Sequence, residues 1–257
     1  MPLVLLLSLV LSTSSASPYE IDPWTDTMAT VLPYTLLIAI EAGVKPSLEG
    51  GITCREVLDN GRCDPQNLYA FDRYAVDKKS KTWGRISDIA GNFSFFALAL
   101  DSGLQSLGES GWNGKGFGKD LLVSAQAIGL ATLTTTLFKF ALRRPRPTQY
   151  SEDRFVGSIE HQLSFPSGHV TGAAAGSAAW ITTTFLRRPK GLWRYVVLGC
   201  GILATGLTAY GRIGAGMHFP TDVIAGVAVG SLFGTVIPLW HTNPNLHVGA
   251  NQLVYHF

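Results

Sequence analysis

Three short segments of this chain gather the residue types that hold and transfer a charged group. "KFALRRPRP", Lys139 to Pro147, closes an apolar run on a lysine, where a charge is expensive and is usually kept for function. Pro145 and Pro147 stop the helix and push the residues before them to extended geometry, so Arg146 turns back toward whatever Lys139 faces. "SFPSGHVTG", Ser164 to Gly172, sets Ser167, Gly168 and His169 at a helix start, whose free N–H groups and dipole attract an anion. Gly168 admits close backbone approach, Ser167 adds a donor and a cap, and His169 could deliver a proton. "YGRIGAGMHFPTD", Tyr210 to Asp222, carries Arg212, a planar fork of donors suited to phosphate oxygens. Pro220 fits a first helical turn, which leaves His218 just ahead of the helix and Asp222 inside it. A carboxylate four residues after an imidazole can accept its Nδ1–H and leave Nε2 free as nucleophile or base. Taken singly, the segments also read as interfacial anchors, a helix cap and a solubilising loop.

Taken together they read differently. Two apolar runs, 169–186 and 194–210, separate the second segment from the third, so an up-down hairpin returns both loops to one side. One pocket would then collect Lys139, Arg146, Arg212, two histidines and a helix N-terminus. Three cations without a nearby metal-ligand cluster describe a dianion site, and the two histidines supply acid and nucleophilic chemistry. Phosphoryl transfer is the natural reaction class, because Arg and Lys stabilise charge spread over the equatorial oxygens.

Lys139-x6-Arg146-Pro147, Pro166-Ser167-Gly168-His169 and Arg212-x5-His218-x3-Asp222 resemble the three-part signature of the type 2 phosphatidic acid phosphatase superfamily. That superfamily also holds bacterial acid phosphatases and vanadium haloperoxidases. The first part has one register, since Arg144-Pro145 would need a lysine where Leu137 stands. The resemblance implies that His218 attacks phosphorus to form a phosphohistidine, that Asp222 orients it, and that His169 protonates the leaving oxygen and then activates water. It implies phosphate binding by Lys139, Arg146, Ser167, Gly168 and Arg212, with no metal ion or other cofactor. Gly211 departs from the pattern, which usually has serine before the third-motif arginine, and puts one hydrogen bond in doubt. The substrates that the resemblance implies are membrane lipid phosphates or pyrophosphates. A soluble periplasmic acid phosphatase is the alternative, ahead of a haloperoxidase and an inactive membrane scaffold.

The elements that must position these residues are helical. Of 257 residues, 46% are hydrophobic and 15% charged, which points to an all-α bundle with polar loops, at least partly in a bilayer. The net charge of +2 suggests no nucleic-acid partner. Apolar stretches at 88–107, 120–142, 169–186, 194–210 and 220–240 carry small residues at short intervals, as membrane bundles do. Val31 to Val44 is fourteen residues with Glu41 inside, short of the ~20 that cross a bilayer. The expectation is one phosphatase domain, 18–257, with about six core helices and about five crossings. Its motif core is 119–240, its polar excursion 45–86 and its irregular tail 241–257; oligomeric state is unread.

Residues 1–17 read as a signal peptide, with Leu3 to Leu11 apolar and Ser14 and Ala16 at the −3 and −1 positions. No Lys or Arg precedes the apolar stretch, so an uncleaved anchor is the alternative. The basic loop Arg187 to Arg194 belongs in the cytoplasm by the positive-inside rule, which puts the pocket on the periplasmic side of a bacterial inner membrane. An exported N-terminus agrees with this only if Val31 to Val44 does not span. Cys54 and Cys63, nine positions apart in a turn-rich segment, are disulfide candidates or two unpaired thiols.

Overall fold

The computed structural model describes residues 17–51, 53–108, 111–151, 158–188, 190–242, 246–249 and 252–255. Six long helices make the bundle: α1 Pro23–Ala39, α2 Lys81–Gln105, α3 Gly114–Leu142, α4 Gly168–Arg187, α5 Trp193–Gly214 and α6 Pro220–Trp240. Each starts for a local reason. Asp22 caps α1 by accepting from Trp24 N–H and Thr25 N–H at 3.1 and 2.8 Å, with Pro23 in the first turn. Ser80 and Asn113 cap α2 and α3, and Pro220 opens α6.

The helices alternate in direction. At one end Ser17 Oγ donates to Asp120 at 2.8 Å, Tyr19 OH meets Thr183 Oγ1 at 2.6 Å, and Asp120 pairs with Arg187. Trp180 and Trp193 both donate to Asp101 there, at 2.8 and 3.1 Å, and Glu20 N–H bonds the His241 carbonyl. At the other end Lys45 pairs with Glu160, and Ser80 N–H bonds the Gly214 carbonyl at 3.1 Å. So α1, α3 and α5 run toward the second end and α2, α4 and α6 run back.

Most of α4 is buried, and α6 lies against it closely enough that a Cβ on Gly226 would sit 2.8 Å from the Ser167 carbonyl. Gly230 and Gly234 repeat that approach one and two turns on, against the Thr171 and Ala175 carbonyls, giving a small-residue stripe of membrane-bundle type. The outer surface shows Phe96 and Leu100 of α2, Ile202 and Leu203 of α5, and Ile224 and Leu232 of α6. A belt of that size suits lipid better than water.

Two expectations need correction. Val31 to Val44 is not a short isolated segment. It is the later part of a continuous helical stretch Pro23–Ser47, α1 extended by a π-helical turn at Ile40–Val44 and a 3-10 turn at Lys45–Ser47. The Asp22 cap carries the helix through Thr25, Asp26 and Thr30, whose polarity hides its length. Among the described residues four stretches are long and apolar enough to cross a membrane: Pro23–Ser47, Gly114–Gln149, Trp193–Gly214 and Pro220–Trp240. The 88–107 and 169–186 segments lie in α2 and α4, which run between the same two ends as the other helices but fall outside those four by composition. The tail is not wholly irregular, because β3 Leu246–Gly249 pairs antiparallel with β4 Gln252–Tyr255. A smaller hairpin joins β1 Leu107–Gly108 to β2 Gly111–Trp112. The signal-peptide reading concerns residues that, apart from Ser17, lie outside the described ones.

Candidate active site

Seven chain segments, from the end of α1 to the turn before α6, converge at the second end of the bundle around a cavity of about 550 Å³. Lys139, Arg146, Gly168, His169, Arg212 and His218 all line it. Their positions follow from how neighbouring helices end and begin. Arg143, just past α3, takes a left-handed conformation (φ 43°) while its N–H bonds the Lys139 carbonyl at 2.9 Å. The chain turns there, and Arg146 N–H is held by the His161 carbonyl at 2.8 Å. The first helical bond of α4 runs from Thr171 N–H to the Ser167 carbonyl, so the amides before it have no intrahelical acceptor. Lys139 Nζ lies 3.5 Å from where a Cβ on Gly168 would stand, so an ammonium and a helix N-terminus address the same volume. Ser167 is fully buried, and its Oγ has no partner among the described residues.

The geometry around His218 differs in one respect from the spacing argument. His218 Nδ1 is 2.8 Å from the Ser164 carbonyl and 3.7 Å from Asp222 Oδ2, so the carbonyl is its acceptor, not the carboxylate. A carbonyl cannot donate, so Nδ1 carries the proton and Nε2 faces the cavity with a free lone pair. Asp222 acts one step back. It accepts from Ser164 Oγ at 2.6 Å and from Phe219 N–H at 2.8 Å, fixing the two backbone segments that hold the ring. Burial pushes the His218 imidazole down to about 3, against a smaller opposing pull from Asp222, so the ring is neutral at pH 7. His169 sits at the cavity wall with its side chain 60% accessible and Nε2 3.9 Å from Asp88. Desolvation and then the Arg212 guanidinium hold its imidazole well below the ordinary value.

Residues 120–246 match the PAP2 superfamily. Over that stretch the chain is similar to the PAP2 superfamily. A decaprenylphosphoryl-5-phosphoribose phosphatase of Mycobacterium tuberculosis is 32% identical over 119 residues, covering 46% of this chain and 60% of that protein. An undecaprenyl-diphosphatase of Bacillus subtilis is 38% identical over 118 residues, 43% of this chain and 52% of the relative. A lipid A 1-phosphatase of Rhizobium johnstonii is 37% identical over 106 residues, 39% of each. The chain thus spans well under two thirds of the length of these relatives.

The PAP2 segment depends on residues that carry no motif signal. Arg144, set aside by the sequence register, donates through Nη1 to Asp222 and to Thr221 Oγ1, and through Nη2 to Asp72 at 2.6 Å. Asp72, fully buried, also accepts from Thr221 N–H at 3.0 Å. It belongs to the 45–86 excursion, whose Cys54–Cys63 disulfide brings Cys63 into one cluster with Ala75, Tyr150 and Phe219, beside His218. Three more acids, Glu41, Asp88 and Glu160, line the cavity itself. Only Arg144, doubled beside the motif arginine, left a trace that sequence reading could have followed. Gly211 faces α2: a Cβ there would stand 2.6 Å from both the Trp83 carbonyl and Ser87 Cβ. Glycine at the usual serine position therefore answers to a helix contact. Among the described residues no three His, Cys, Asp or Glu side chains gather as a metal site.

Proposed function

We propose that this protein is a membrane phosphatase that removes phosphate from a lipid phosphate or pyrophosphate through a phosphohistidine at His218, on the non-cytoplasmic face. The observation that carries the reading is one cavity lined by buried Arg212, half-buried Lys139 and Arg146, a helix N-terminus and two histidines with different surroundings. A phosphate dianion there meets Lys139, Arg146 and Arg212, the Gly168 amide and the unpartnered Ser167 hydroxyl. His218 Nε2 attacks phosphorus, a P–N bond forms, and the P–O bond to the lipid breaks as His169 donates its proton to the leaving oxygen. Water then attacks phosphorus, gives a proton to His169 and displaces His218, releasing inorganic phosphate. The bound dianion favours the protonated form of His169 that the first step needs.

The lipid nature of the substrate draws on the apolar outer belt, on Phe95 and Phe140 at the cavity wall, and on the relatives' activities, all of which concern lipid-linked phosphates. The test is phosphate release by purified protein in EDTA from a panel of prenyl diphosphates, phosphatidic acid, lipid A and soluble phosphomonoesters. Release from lipid substrates without metal is expected, and His218→Ala should abolish turnover while vanadate still binds. A strict metal requirement, or substantial activity in His218→Ala, would overturn the scheme.

A further inference from the structure

Both phosphate-facing arginines are already paired, by acids outside the three motifs. Arg212 Nη2 donates to Asp88 on α2, and Arg146 Nη2 donates at 3.0 Å to Glu160, on the 3-10 turn Ile159–Gln162. Each of these residues lines the same cavity. The pairs are lopsided in burial. The arginine side chains are 4% and 20% accessible, whereas Asp88 and Glu160 are 54% and 43% accessible. The cations are fixed and desolvated, while the acids can swing into water at small cost. Nε of each arginine is buried without a partner among the described residues. An oxyanion gripping the Nε–Nη2 edge in the two-pronged manner that guanidinium favours must take the nitrogen that the carboxylate now holds. Glu160 also has somewhere to go, because its second oxygen pairs with Lys45, at the C-terminal extension of α1. Partial burial would raise the Glu160 carboxyl, but Lys45 and then Arg146 outweigh it and hold it below the usual range, so it stays charged.

We propose that Asp88 and Glu160 are displaceable carboxylates that occupy the oxygen sites of Arg212 and Arg146, leave when phosphate enters, and return to expel it. This rests on the phosphatase reading of the pocket and adds a role in product release. A site built from three converging cations, Lys139, Arg146 and Arg212, would otherwise retain inorganic phosphate, its own product, too firmly for turnover. Asp88 has a second part to play: it stands beside His169, and its departure clears that ring for the leaving oxygen.

The competing role, structural ion pairs that hold the arginines in place, predicts the opposite sign. Glu160→Gln, Asp88→Asn and the double variant of the full chain in detergent would be titrated with inorganic phosphate and with vanadate by calorimetry, and assayed for turnover. Displacement predicts roughly threefold to tenfold tighter binding of both anions per substitution, with kcat lowered as release becomes limiting and kcat/KM kept or raised. Unchanged or weaker anion binding in both single variants overturns the inference and leaves the phosphatase reading intact. Failure of the unaltered protein to bind either anion overturns the reading on which it rests.

Discussion

Arg144 ties the two loops around the candidate nucleophile to the excursion before α2. Its guanidinium spans two fully buried carboxylates, Asp72 and Asp222, and lies 4.5 Å over the Phe219 ring. Removing one partner of such a set leaves a buried charge without its counter-ion, which costs more than the bond itself contributes. Lysine keeps the charge but cannot reach both carboxylates with a planar fork. Arg144→Lys should therefore cost about 1.5–3 kcal/mol of stability, the range for hydrogen bonds to charged groups. It should lower kcat with little change in KM, because Arg144 supports Asp222 and does not line the cavity. Thermal melts in detergent with steady-state kinetics would check this; an unchanged melt would remove the network from any account of the site. The sequence separated Arg146 from Arg144 by the register to Lys139, and could go no further. What Arg144 holds is decided by Asp72, seventy-two positions away in a segment without periodicity. Asp88 and Glu160 were unread for a similar reason: an isolated acid has no pattern until a fold puts it opposite an arginine.

At the scale of elements, α4 and α6 were legible almost to the residue, because Arg187-Arg188 and Pro220 punctuate them, whereas α5 runs past the expected end at 210 to Gly214 and carries Arg212 in its last turn, not in a loop. The starts of α1 and α2 were not, since both helices begin in polar residues and are fixed by side-chain caps, Asp22 and Ser80, that hydropathy does not register. Spacing located Asp222 near His218, but the actual acceptor of Nδ1–H is a backbone carbonyl, which no side-chain pattern encodes. Helix contact also settles how Gly211 is to be understood. The family pattern suggested a lost hydrogen bond at this position, which makes Gly211→Ser look like a repair. The packing predicts harm instead, because a side chain there meets the backbone of α2 at Trp83 and the Cβ of Ser87. Overpacking of this kind costs about 1–3 kcal/mol. Gly211→Ser should lower the melting temperature and reduce activity by shifting Arg212, the next residue, against Asp88. Higher activity at equal stability would show that the hydroxyl finds phosphate after all.

For the whole molecule the decisive fact is the direction of α1. It starts beside Asp120 and Arg187 and ends beside Glu160, so Ser17 stands at the end of the bundle opposite the cavity. The basic loop Arg187 to Arg194 shares that end, and so does His241 after α6. If the basic loop is cytoplasmic, the Ala16–Ser17 bond is cytoplasmic too, out of reach of a peptidase acting across the membrane. If Pro23–Ser47, long and apolar enough to cross, does cross with the other helices, cleavage after Ala16 and an outward-facing cavity exclude one another. The charge argument is the stronger of the two, because four basic residues sit in one short loop without an acid. The expected topology has Ser17, the 187–194 loop and Thr242 inside and the 45–80 excursion outside, where an oxidising compartment would keep the Cys54–Cys63 disulfide. Single cysteines would be placed at Gly191 and at Glu20 for labelling with a membrane-impermeant maleimide in intact cells, with Asn60→Cys as the outside control. Protection at 191 and 20 with labelling at 60 is the expected result. Labelling at 191 would invert the whole bundle and move the cavity to the cytoplasmic face; labelling at 20 alone would mean that α1 does not cross with the others.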